Sequence, residues 1–214
     1  MKRAWACQSM LVLVVAALSA VGSAQGSAGA ARYSLVDALV FGDYLSIDIT
    51  PYAADVRLQI QQYQSRFATY QSKRVKPIGS SELIMGYNAL VRYEGRLVAV
   101  SVAAGVDALA VAYVTDLAPC YEWEGFHDCP EREAMFAATY QAAHLNGPFS
   151  QYLPLLEAHR WSCAAEGYDS EKSPVEAART RQSYAQALAV ARGSTSLLIR
   201  TAAVELGTRA RCHP

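Results

Sequence analysis

Apolar residues recur along this chain mainly at steps of three and four, the period of a helix that buries one face. The clearest case follows Thr50 and Pro51: Tyr52, Val56, Ile60, Tyr63, Phe67 and Tyr70 form one stripe, glutamine and arginine fill the opposite side, and Lys73, Arg74 and Lys76 gather before Pro77. Thr50 is a favoured cap and Pro51 suits the first helical position, so the pattern predicts a helix whose tyrosines belong to the core. An earlier, shorter helix is predicted after Ser34, paired with Asp37 as in a capping box, with Leu35, Val36, Leu39 and Val40 on one face and Gly42 leaving its end open. A third begins at Ser80 or Ser81 and carries Leu83, Ile84, Tyr87, Leu90 and Val91 along one side.

From Leu97 to Ala118 the pattern nearly disappears, because the stretch is apolar throughout except for Asp107 and Asp116. Periodicity admits one long kinked helix from Ser81 to Leu117, or two elements divided at Gly95. The alternation of Val98, Val100 and Val102 also admits a short β hairpin within 97–115, an α+β alternative. Seven alanines favour helix. A membrane span is disfavoured: a charge near the centre costs about 3 kcal/mol, whereas each valine or leucine returns only about 0.3–0.6 kcal/mol. The stretch therefore reads as the central core helix, with Ala99, Ala103 and Gly105 allowing close approach of neighbours. Asp107 then needs a partner or marks an exposed edge.

Pro119 closes this segment and Cys120 opens the run CYEWEGFHDC, which ends at Cys129. Asp128, Pro130 and Glu131 start the next helix, which continues through Met135, Phe136, Tyr140 and Ala143 to the stop signal Asn146, Gly147, Pro148. Another runs from about Ser150 to Glu166 with Tyr152, Leu155, Leu156, His159 and Cys163 on one side, ended by Gly167. The last two run from Ser173 and Pro174, with Glu176, through Tyr184 and Leu188 to Gly193, and from about Ser196 through Leu197, Leu198, Ala202 and Leu206 towards Cys212. The fold class is thus an all-α, single-domain bundle of about six to seven helices over residues 33–214.

Composition adds compartment and constraint. With 214 residues, 52% hydrophobic, 18% charged and no net charge, the chain suits one folded domain and lacks the basic surplus that nucleic acid requires. Lys2 and Arg3, the apolar run Met10–Val21 and the small residues Gly22, Ser23 and Ala24 read as a signal peptide over 1–24, followed by a flexible lead-in at 25–32. Its removal takes two basic residues and no acid, leaving the mature chain slightly acidic. It also removes Cys7, so Cys120, Cys129, Cys163 and Cys212 remain, an even set expected as two disulfides in an oxidising compartment. The expected location is periplasmic or secreted, in a bacterium. Antiparallel alternation of the last three helices puts the ends bearing Cys163 and Cys212 together, which pairs Cys163 with Cys212 and Cys120 with Cys129. In the chain-entropy model these contribute about 4 and about 3 kcal/mol respectively.

Candidate chemistry concentrates between Cys120 and Cys129. Tyr121, Glu122, Trp123, Glu124, Phe126 and His127 sit on a clamped loop, where rigidity lowers the entropy lost on binding, so this is the predicted recognition surface. An acid/base pair from Glu122, Glu124 and His127 is the catalytic reading, although no catalytic residue is assigned. His159, Cys163, Cys212 and His213 make a conceivable metal set, but in an exported chain the disulfide prevails, so neither metal nor cofactor is expected. The sequence holds no Cys-x-x-Cys, haem, phosphate-loop or Gly-x-Ser-x-Gly signature. The function expected is an exported binding protein of inhibitor or immunity type. It would use the clamped loop and the tyrosine-rich second helix on a protein or envelope component, with no nucleic acid and no stable membrane span. The alternative is an envelope hydrolase or metal-dependent enzyme using Glu122, Glu124, His127 or His159.

Overall fold

The computed structural model describes residues 34–41, 47–74, 79–120 and 125–212. The expected signal segment and lead-in lie outside the described residues. Those described form eight helices: α1 (Leu35–Phe41), α2 (Ala54–Lys73), α3 (Ser81–Val100), α4 (Val106–Leu117), α5 (Asp128–Ala143), α6 (Leu153–Ser170), α7 (Pro174–Arg192) and α8 (Leu197–Thr208). No strand occurs among them, so the hairpin alternative is excluded. Cys120 is bonded to Cys129 and Cys163 to Cys212, with Cα atoms 5.9 and 4.9 Å apart.

The apolar stretch after Arg96 is divided, but not at Gly95. That residue lies inside α3, where a Cβ would come within 3.1 Å of the Phe67 ring, so its missing side chain lets α2 and α3 pack closely. The break falls at Ser101–Gly105: the Ser101 hydroxyl accepts from the Ala103 N–H at 3.2 Å, and Gly105 takes a left-handed φ of 71° before α4. Ala103 and Gly105 are exposed rather than helix-packing, and Val102 is 85% exposed. Asp107 sits on that exposed edge, 3.8 Å from Lys73. Among the described residues no helix is long and apolar enough to cross a membrane.

The central helix is α6, packed against α5, α7 and α8, and not the apolar stretch. Thirteen of its residues are buried, His159 and Arg160 among them. Its polar letters hid this role, since burial of a charge succeeds only where partners wait. Gly167 does not end α6, which continues to Ser170. Thr50 likewise does not cap α2: its hydroxyl goes to Asp48 at 2.6 Å, and the helix starts at Ala54. The tyrosine stripe is core, with Tyr63 and Tyr70 buried.

Helix α1 is the shortest and most enclosed element, every residue from Leu35 to Val40 being buried. At its start the Leu35 N–H donates to the Tyr52 hydroxyl and the Val36 N–H to Glu205, both at 3.1 Å, while Asp37 accepts from the Ser34 N–H and from Arg209. At its end three carbonyls are met in succession. Ala38 accepts from Tyr63 at 3.0 Å, Leu39 from Tyr152 at 2.7 Å, and Val40 from Arg96. Burial pushes the Tyr63 and Tyr152 phenols upward, which keeps both as donors.

Tyr152→Phe keeps the ring and removes only the donor, leaving the buried Leu39 carbonyl without it. We expect a loss of about 1–3 kcal/mol in urea unfolding. An unchanged midpoint would contradict this capping role.

Candidate functional site

The segment between α4 and α5 is held at both ends. Ala118 ends α4 in a left-handed conformation (φ 46°), which turns the chain into Pro119 and Cys120. Cys129 lies in the first turn of α5, so the disulfide closes the segment against that helix. One turn further, Arg132 donates to the Ala118 carbonyl at 3.0 Å and to the Cys120 sulfur at 2.8 Å.

The far end is seated on the C-terminal turns of α6. Nδ1 of His127 lies 2.7 Å from both oxygens of Glu171, whose Oε1 also accepts the His127 backbone N–H at 3.2 Å. The imidazole stacks on Tyr168 with centroids 3.9 Å apart. Tyr168 donates to Glu131 at 2.6 Å, and Glu131 accepts from Arg179 of α7 at the same distance. Gly167 explains how the segment comes so near: a Cβ there would stand 2.5 Å from the His127 nitrogen. The hydrogen bond from His127 holds the Glu171 carboxyl below its ordinary range, and burial together with Glu131 pushes the Tyr168 hydroxyl up to about 12.

Of the six residues expected to form the recognition surface, Phe126 is 55% exposed and His127 is partly buried in the contacts just described. Tyr121, Glu122, Trp123 and Glu124 lie outside the described residues. A histidine whose Nδ1 is held by a carboxylate has the orientation used in proton transfer, but the same contacts also fix the loop. His159, Cys163 and Cys212 bring donor atoms within 4.8 Å of one another, all buried. Both sulfurs are joined in the disulfide, so this state offers no thiolate for a metal; His213 lies outside the described residues.

Beside the Cys120–Cys129 bond lies a cavity of about 270 Å³ whose charged lining the sequence pattern did not single out. Residues Val40, Phe41, Ala89, Arg92, Tyr93, Arg96, Pro130, Glu133 and Arg160 line it with Cys120, Cys129 and Cys163. Glu133 of α5 accepts from Arg160 at 2.5 Å and from Tyr93 at 2.7 Å, all three largely enclosed. Burial pushes Glu133 up, yet Arg160, Arg96 and the Tyr93 hydroxyl outweigh it and hold the carboxyl below its ordinary value of 4.5. These residues come from three helices and share no motif. The one signal in the sequence was the presence of charges inside otherwise apolar segments, Arg96 beside Leu97 and Arg160 beside Trp161.

A carboxyl held lower in the folded than in the unfolded chain stabilises fully above its unfolded value and loses that contribution as pH falls through its folded value. Wild-type stability should therefore decline below about pH 4.5, and Glu133→Gln, less stable at pH 7, should decline less over the same range in urea titrations at pH 7 to 3. A parallel decline in both would contradict the coupling. Gly167→Ala should push the loop off α6 at a cost of about 1–3 kcal/mol and break the His127–Glu171 contact, read from the His127 ring resonances. Unmoved resonances would refute the packing argument.

No family model matches this chain, and no curated protein or solved structure matches it either.

Proposed function

We propose that this is an exported, disulfide-stapled binding protein of inhibitor or immunity type, which recognises a protein or envelope component through residues 120–129. The observation that carries the reading is the double fixing of that segment. The disulfide and Arg132 hold its start while Glu171, Tyr168 and the gap above Gly167 hold His127, with the Phe126 ring exposed beside it. Fixing a segment at both ends lowers the entropy it loses on binding, and exposed aromatic side chains supply contact area at low conformational cost. Two disulfides suit an oxidising periplasmic or extracellular space, to which the signal-like segment 1–24 would direct the chain.

A second reading, an envelope hydrolase, draws on the His127–Glu171 pair, in which the carboxylate fixes the imidazole. The first reading is favoured because the stacking on Tyr168 and the backbone hydrogen bond make that pair part of the loop's mounting.

The oxidised mature chain, used as bait in an extract of the source envelope, should retain a partner that Trp123→Ala with Phe126→Ala reduces at least tenfold. Retention unchanged in the double variant would overturn the loop as the recognition surface. Hydrolysis of cell-wall or ester substrates lost in Glu171→Gln would establish the second reading instead.

A further inference from the structure

Arg96 is only 1% exposed, and although its charge acts on the nearby Glu133, no described carboxylate is hydrogen-bonded to it. One terminal nitrogen donates to the Val40 carbonyl and the guanidinium lies 3.9 Å from the Tyr93 ring centroid. Its Nε and Nη2 have no hydrogen-bond partner among the described residues. Those two atoms form one edge of the guanidinium, the parallel pair of donors that matches the two oxygens of a carboxylate. Burying such an edge unpaired is costly, so its persistence in a cavity wall needs a reason.

The cavity does not supply the missing anion from its own described lining. Glu133, the acid there, is already engaged by Arg160 and Tyr93. Arg92, one turn before Arg96 on α3, lines the same space and is exposed, so positive charge predominates over the single carboxylate. Much of the remaining wall is apolar: Phe41, Ala89, Pro130 and the Cys120–Cys129 bond. At about 270 Å³ the cavity falls just below the range of about 300–1,000 Å³ typical of sites for drug-sized ligands.

We propose that this cavity binds a small organic carboxylate with an apolar body, its charge met by the positive wall of Arg92 and Arg96 and its body lying against Phe41 and the disulfide. Arg92 attracts the anion from solvent, and the Glu133–Arg160 pair keeps Glu133 from occupying the Arg96 edge. The site is separate from recognition by the loop surface, and neither reading depends on the other.

The test uses benzoate, its neutral isostere benzamide, and inorganic phosphate, titrated calorimetrically into the oxidised mature protein in chloride buffer. Benzoate should bind at least tenfold more tightly than either benzamide or phosphate. Arg92→Ala, an exposed substitution, should weaken benzoate binding about threefold or more with the melting temperature unchanged, and Arg96→Met should abolish it. If Arg96→Met does not fold, Arg92→Ala decides. Failure of benzoate to bind, equal binding of benzamide or of phosphate, or wild-type affinity in the folded Arg92→Ala protein would each overturn the proposal.

Discussion

A seven-residue helix has more unsatisfied backbone groups than internal hydrogen bonds, and α1 is buried where water does not meet them. Alone it would not form, because helices shorter than about 12–15 residues are marginal in water. Its persistence rests on side chains brought from elsewhere. Tyr52 and Glu205 take its first N–H groups, while Tyr63, Tyr152 and Arg96 reach its last carbonyls in turn. These partners come from α2, α3, α8 and the turns before α2 and α6, so one short helix fixes the mutual placement of distant parts of the chain. The ion pair of Arg209 with the buried Asp37 draws in the segment after α8, and Cys212 follows it into the bond with Cys163.

The same constraint builds the cavity. Arg96 is drawn inward to meet Val40, and only one of its nitrogens is used there. Around it, the burial of Glu133 and Arg160 is sustained because each is the other's partner and Tyr93 donates to the same carboxylate. Removing either charge alone would strand the other in a poorly hydrated place, which is costlier than never having buried the pair. The buried charges of α6 and its neighbours are thus structural, while Arg96 is, among the described buried charges, the one with donors that no protein group takes.

How far this was legible in the sequence depends on where each signal resides. The stripe of α2 is local and read correctly, and so is half of the capping pair: Asp37 accepts the Ser34 N–H, while the Ser34 hydroxyl donates to that carboxylate instead of capping. The alternation of helix directions brings Cys163 to Cys212 without knowledge of any contact. Glycine misled, because the same residue that ends a helix also lets two backbones meet. Gly95 sits against Phe67 and Gly167 against His127, and only the neighbour, absent from the local sequence, tells the two roles apart. Thr50 failed as a cap because Asp48 competes for its hydroxyl. The apolar stretch outshone α6, although the helix whose polar residues find partners is the one at the centre. The clamped loop was visible because its cysteines are close in sequence, whereas Arg96, Glu133 and Arg160 converge only in space.

The central claim is that α1 is a buried plug held by the side chains of its neighbours. Native-state hydrogen exchange of the amides from Ala38 to Val40 tests it most directly. The account predicts that they exchange only through global unfolding, with the same opening free energy as the core of α6. Exchange through a local opening well below that energy, at the level of a fraying terminus, would contradict it.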